Sequence, residues 1–329
     1  MLSPAHITQK STVMTLSRRQ FTQAALWGGL GAALAFSPKQ SVQAQPTGGN
    51  QRIIVETAED FLNAIGPDRV IQVRAGAFTL SDADPTWQSP YARFEEVYDG
   101  YELVITNVDN LWIEGTENTL SRILTRPRYA DVLKCRDCRN IRFENLELAH
   151  TGDAGFCRGS VLAFANCEDV RIDDCILFGS GTHGIEADGL TQLSCSNSVI
   201  RDCTYGILCL QQASDVRFDT CQFFDNAGFS MIGLLHCQRI DFTNCLMYDN
   251  RVDLIQGLPP TGDDYLFNVM DSEEVIVERC QLHHNQVTHL APFPDAIQLF
   301  DTRIEDNFFG PDTLYPRDRD YQARPLCPV

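Results

Sequence analysis

The sequence predicts an all-β solenoid: a parallel β-helix of about nine coils behind a short N-terminal capping helix. Three observations predict it. A five-residue motif of alternating apolar and polar residues recurs seven times along the chain. Most recurrences end in a residue suited to a sharp bend. The 3.6-residue periodicity that helical repeats require is absent.

The motif reads LWIEG from Leu111, IRFEN from Ile141, VRIDD from Val170, LSCSN from Leu193, VRFDT from Val216, IDFTN from Ile240 and VIVER from Val275. Successive starts are 30, 29, 23, 23, 24 and 35 residues apart. Alternation over so few residues describes a strand with one face inward. Gly115, Asn145, Asp174, Asn197 and Asn244 close the motif and accept a left-handed backbone; Thr220 and Arg279 fit it less well. A second strand follows each bend, with Leu148, Leu177, Ile200, Phe223, Met247 and Leu282 inward. Corners follow at Asp225-Asn226, Asp249-Asn250, His284-Asn285 and Asp306-Asn307. A third apolar piece comes next, as in Gly184-Ile185, Gly206-Ile207 and Gly228-Phe229. Three strands in about 23 residues make one coil. Coils about 4.8 Å apart give a rod of roughly 45 Å. Ahead of the repeats, Thr57 caps a short helix whose buried stripe is Phe61, Leu62 and Ile65. That helix covers the open end of the stack.

The N-terminus reads as an address. Ser17-Arg18-Arg19-Gln20-Phe21 precedes the apolar run Ala24 to Phe36, which is too short to span a bilayer but suits a signal segment. Val42-Gln43-Ala44 supplies small residues before a cut. The pattern resembles a bacterial twin-arginine (Tat) signal, which implies the Tat translocase as an export partner and a periplasmic or extracellular destination. The expected division is therefore 1–44 signal peptide, 45–310 β-helix domain and 311–329 C-terminal tail.

The chain of 329 residues carries 26 Lys+Arg against 44 Asp+Glu, a formal charge of −18. Residues 1–44 hold cations and no acid, so the remainder is more negative still, and Lys134 is its sole lysine. Such acidity argues against nucleic acid as a partner, because phosphate is neutralised by cations. No run of 18 apolar residues suggests a transmembrane segment.

The 13 cysteines fall mostly on equivalent positions. Cys175, Cys221, Cys245 and Cys280 follow the bend, and Cys138, Cys167 and Cys237 precede the first strand. Ser and Ala share these places, so small residues filling a narrow interior is the economical reading. Cys221 and Cys245 stack on adjacent coils, but parallel Cβ vectors do not suit a bridge, so free thiols are expected there. A disulfide outside the stack, involving Cys157 or Cys327, stays open. Cys135-x-x-Cys138 alone is a weak metal or redox signal.

The cap (AEDFLNAI…IQVRAGAFTL) and the repeat C-x-x-V-x-I-x-x-C-x-L resemble the right-handed parallel β-helix, or pectin-lyase-like, superfamily. The coils are also similar to the carbohydrate-binding and sugar-hydrolase (CASH) repeats of NosD-type proteins. The resemblance spans roughly residues 52–310. It implies a right-handed single-stranded solenoid whose sites lie on an outer sheet face beside interrupted coils. It is specific for fold and weak for function, since one scaffold hosts many activities.

The interruptions run through His150–Gly159, Gln256–Leu266, Val287–Asp295 and Ser81–Tyr101, the last rich in Trp87, Tyr91, Phe94 and Tyr98. Such aromatic side chains suit sugar stacking or simple coverage of the stack. With Ile185 and Ala187 inward, Glu186 and Asp188 face outward together. The next coils are expected to bring Leu208, Leu210 and Ser230 to that face, with Asp253 nearby. Paired carboxyls suit acid–base cleavage of a glycoside. With Ca²⁺ they would instead neutralise a uronate while Arg or Lys takes a proton; calcium is the one cofactor considered. The candidate catalytic residues are His150, Arg158, His183, Glu186 and Asp188. Asp153, Tyr205, Arg251 and Asp253 are candidates for binding a polysaccharide or oligosaccharide, and Arg158, Arg201, Arg251 and Lys134 are the candidate cations. Solvated outer-face roles for Glu186 and Asp188, and turn roles for the two histidines, are the competing readings. Thr261-Gly262-Asp263-Asp264 and Thr182-His183-Gly184 resemble polygalacturonase fragments in reversed order, so that mechanism is not carried over. The functional expectation is an exported carbohydrate-active protein, a hydrolase, lyase or epimerase. A non-catalytic maturation factor of NosD type, or a surface structural protein, is the alternative.

Overall fold

Alternation becomes burial. Val170, Leu193, Val216 and Ile240, predicted to form one column, are Cα partners on successive parallel strands. All four are buried. A computed structural model describes residues 51–152, 158–179, 181–252, 264–309 and 314–315. Residues 1–50, Asp153, Cys157, Asp253 and Cys327 lie outside these residues.

Among the described residues three main sheets of ten, nine and eight strands are built by the coils, the central coils contributing one strand to each. The first sheet holds the seven motif strands, from Asp109–Gly115 to Glu273–Glu278. The second carries Leu148, Leu177, Ile200, Phe223, Met247 and Leu282 inward, and all six are fully buried. The third runs through Leu133–Arg136, Leu162–Ala165, Ile185–Asp188, Leu208–Gln211, Ile232–Leu235 and Phe267–Met270. The fold is a right-handed parallel β-helix. Each buried aliphatic side chain contributes about 1.5–3 kcal/mol, and aromatic rings add stacking, as in Phe218 on Phe242 with centroids 5.0 Å apart.

The bends depart from expectation in an instructive way. Asn145, Asp174, Asn197 and Asn244 adopt positive φ, and so do Thr220 (57°) and Arg279 (52°). The stack imposes the bend whatever the residue. Gly115 is not among the positive-φ residues; a Cβ there would lie 2.0 Å from the carbonyl oxygen of Asn145. Glycine is required at that point by close approach rather than by handedness.

The corner dipeptides form a second internal column. Asn226, Asn250, Asn285 and Asn307 point inward, and each side-chain amide donates to the next side-chain carbonyl at 2.9–3.0 Å. The same amides donate to backbone carbonyls, Asn226 to Ile200 and Asn250 to Phe223. Buried amides remain satisfied this way while these four coils turn the corner alike.

At the start, helix Ala58–Ala64 is capped by the Thr57 hydroxyl, which accepts from the Asp60 amide at 3.1 Å. Phe61, Leu62 and Ile65 are buried over the first coil. The interruption at Ser81–Tyr101 builds strand Ala92–Val97, antiparallel to Gly100–Thr106. Trp87, Tyr91 and Phe94 pack against the core, whereas Tyr98 is 87% exposed. At the far end, Leu299 and Ile304 are only partly buried, and Phe300 and Phe308 are exposed. Among the described residues ten cysteines are buried and in no disulfide, Cys221 and Cys245 among them. Cys209 is disulfide-bonded. Among the described residues no helix is long and apolar enough to cross a membrane.

Candidate active site

Register decides which side chains share the outer face of the third sheet. Lys134, Ala163, Glu186, Cys209, Gly233 and Asn268 are successive partners. Ile185 and Ala187 point inward, as alternation requires, so Glu186 and Asp188 point out. Leu208 and Leu210 do not join them. They pair with Ile185 and Ala187 and are fully buried in the core. The expectation that placed these leucines beside Glu186 misread the register by one residue, which in a strand exchanges the faces. Likewise Gly228-Phe229 is not strand; Phe229 lies exposed in the corner before Ile232–Leu235.

The corner entering this sheet gathers three carboxyls around one ammonium. Lys134 Nζ is 3.0 Å from Glu102 Oε1 and 3.3 Å from Asp131 Oδ2. Glu102 Oε2 accepts from the Asp131 amide at 3.2 Å. Asp131 Oδ1 accepts from the Ser160 amide at 2.7 Å. The Ser160 hydroxyl donates to Glu186 Oε2 at 2.9 Å and lies 2.9 Å from the Thr182 hydroxyl. Successive coils thus supply Glu102, then Asp131 and Lys134, then Ser160, then Thr182 and Glu186. Asp131 and Glu102 keep about a tenth of their side-chain surface open and Lys134 a quarter.

Electrostatics follow from this crowding. Burial pushes the Asp131 carboxyl up to about 7, Glu102 adds to the rise, and Lys134 opposes it. Burial also raises Glu186, against its hydrogen bond from Ser160 and the charge of Lys134. For Lys134 burial works downward, but Asp131 and Glu102 outweigh it and hold the ammonium above its ordinary value. The arrangement can keep one carboxyl protonated near neutral pH beside others in contact with a cation.

The other candidates are placed as follows. His183 is buried, and desolvation lowers its imidazole to about 4. His150 is buried too; its Nε2 is 2.7 Å from the Ala130 carbonyl, so it braces the residue before Asp131. Burial lowers its pKa as well. Asp188 is exposed at the far end of its strand. Arg158 is exposed, and its carbonyl accepts from Thr182 at 3.4 Å. Tyr205 pairs with Phe229, ring centroids 4.9 Å apart. Arg251 is exposed two corners on from Tyr205, and Arg201 lies over the Phe178 ring. Asp153 and Asp253 lie outside the described residues. The sequence reading missed Glu102, Asp131 and Ser160. Its best pointer was Lys134 itself, because a lone partly buried ammonium needs carboxylate partners. These residues do not fit a calcium ion. Lys134 already bridges two of the carboxyls, and no metal-holding group of three or more His, Cys, Asp or Glu occurs among the described residues.

Three stacked sheets, parallel coils and a helical cap define a right-handed β-helix protein. The chain belongs to the family described as right handed beta helix region, whose match covers residues 131–309, more than half of the chain. No curated protein is similar enough in sequence to count as a relative. Among solved structures, pectate lyase Pel9A is similar over 79% of this chain and 79% of its own, with TM-score 0.53 and 11% identity. Pectate lyase PelN from Paenibacillus sp. 0602 is similar over 85% of this chain and 82% of its own, with TM-score 0.52 and 11% identity. At such identity the likeness concerns the fold.

Proposed function

We propose that the protein is an exported glycan-active enzyme that hydrolyses a neutral polysaccharide at the Glu102–Asp131–Lys134–Glu186 cluster. The observation that carries this reading is the buried Asp131 carboxyl, raised to about 7 beside two further carboxyls on the outer sheet face. Carboxyls pushed apart in pKa are the means by which one site supplies both acid and base. Asp131 gives its proton to the glycosidic oxygen as the bond to the anomeric carbon breaks. A water attacks that carbon and passes a proton to Glu186. The Glu102 carboxylate, held by Lys134, stabilises the positive charge that develops on the sugar ring. A uronate seated here would place its carboxylate among three others, with an ammonium already engaged by two of them; this favours hydrolysis of a neutral chain over lyase or epimerase chemistry. The twin-arginine segment at 1–44 directs the domain at 45–310 to the periplasm or beyond, with 311–329 as a tail, and the coils are of the CASH type.

Wild type on a glycan panel is expected to release new reducing ends from neutral chains without producing unsaturated uronates. Asp131→Asn should lower the rate by about 10²–10⁴-fold. Folded protein that is silent on every glycan, or an undiminished Asp131→Asn variant, would sink the proposal.

A second reading has one observation in its favour. The outer face of the first sheet forms an open groove of about 880 Å³, lined by pairs such as Arg239–Asp215 and Arg217–Asp241. Such a face suits a partner rather than a reaction, as in a NosD-type maturation factor or a surface rod. Recovery of a protein partner with glycan-inert native protein would favour it.

A further inference from the structure

We infer that two exposed aromatic pairs on the same corner ridge are sugar subsites, and that they hold an extended neutral polysaccharide along the solenoid axis, across the carboxyl cluster. This rests on the reading of the cluster as glycan-active and adds the direction, minimum length and recognition of the substrate.

The first pair is Tyr98 with Tyr129, centroids 5.0 Å apart and planes inclined by 49°. It is fixed to the cluster by short connections. The Asp99 carboxylate accepts from the Arg128 and Tyr129 amides at 2.7 and 3.1 Å, and Asp131 lies two residues beyond Tyr129. The second pair is Tyr205 with Phe229, 4.9 Å apart and inclined by 48°. It too is tied to the cluster. The Tyr205 amide donates to the Thr182 carbonyl at 3.0 Å, and the Thr182 hydroxyl meets Ser160. One member of each pair faces solvent, Tyr98 at 87% exposure and Phe229 at 38%. An exposed ring braced by a second ring is held open at little entropic cost, and its apolar face suits the C–H face of a pyranose.

Placement sets the direction. Tyr129 precedes the strand at Leu133 and Phe229 the strand at Ile232, four strands further along the third sheet. Four coil steps are about 19 Å, the reach of a short oligosaccharide laid parallel to the axis. Asp131 shares the corner of Tyr129, and Ser160 and Thr182 occupy the corners between the pairs. A chain touching both pairs therefore crosses the carboxyls, whereas a chain running around a coil would touch one pair at most. Not every aromatic column on the rod serves this purpose. Phe224, Tyr248 and His283 stack face to face at 4.9 and 5.2 Å, so their ring faces cover one another.

The test is native affinity electrophoresis of full-length wild type, Tyr98→Ala, Phe229→Ala and Asp131→Asn through gels containing a β-1,3-glucan, a galactomannan, a xylan or polygalacturonate. Circular dichroism checks the folding of each protein. At least one neutral polysaccharide is expected to retard wild type. Each aromatic variant should bind it roughly three- to tenfold more weakly, and Asp131→Asn about as well as wild type. Retardation by polygalacturonate alone, by none of the four, or equally for wild type and both aromatic variants overturns the inference. Reducing ends are measured separately. Aromatic-dependent binding without turnover supports the subsites and removes the hydrolytic reading; turnover abolished by Asp131→Asn but indifferent to both aromatic changes does the reverse.

Discussion

Thr220 and Arg279 show what a single position owes to its neighbours. Neither favours a left-handed backbone, yet both adopt it, because the coil above and the coil below bend at that point. His183 shows the same pressure on a titratable group. Its ring sits inside the stack, and burial lowers its pKa to about 4 from an ordinary 6.5. A depressed histidine pKa means that the unfolded chain takes up the proton first. Its contribution to stability is therefore full above about pH 6.5 and is lost as pH falls through about 4, as much as roughly 3 kcal/mol. Melting temperatures of wild type and His183→Gln between pH 8 and 4 should converge toward acid; profiles that stay parallel would refute this. Inward residues such as Leu177 and Phe223 were legible in the sequence because alternation reports side-chain direction directly. Asp131 was not, because it sits in a corner, where alternation lapses and direction depends on the turn.

Corners are also where the asparagine column runs. The sequence marked Asp249-Asn250 and its counterparts as turns, since both residue types suit them. That the second residue faces inward and binds its equivalent one coil away was not written in any local pattern. Asn250 accepts from Asn226 and donates to Asn285 and to Phe223. Removing its amide takes away the acceptor of the Asn226 backbone amide and one donor each from Asn285 and the Phe223 carbonyl, all of them buried. Asn250→Ala is expected to lower stability by about 2–4 kcal/mol, read as a fall in urea midpoint with unchanged slope. A loss below about 0.5 kcal/mol would mean that water replaces the ladder. The third sheet gives the contrasting lesson. Glu186 and Lys134 were both noticed, but their link through Ser160 and Asp131 depends on coils of unequal length, and register across such coils cannot be read from spacing alone.

Among the described residues a thiol-rich interior stands beside one disulfide-bonded cysteine. Ten of the described cysteines are buried and in no disulfide, shielded from oxidation by packing. Cys209 differs. It stands on the outer column next to Glu186 and is bonded. Cys209→Ser is expected to cost about 2–4 kcal/mol, and reductant should lower the wild-type melting temperature but not the variant's. An equal response in both would show that the bond contributes nothing. The ten interior thiols should resist a thiol reagent until the protein unfolds. The fold class was legible because a solenoid repeats its own pattern, so each coil confirms the last. The helix over the first coil has a wider effect. Two bare ends would be complementary, since every strand row exposed at the bottom would match one exposed at the top, and rods could join without limit. With Phe61 and Leu62 closing one end, head-to-tail growth has no starting surface, and the molecule's length is set by its own sequence.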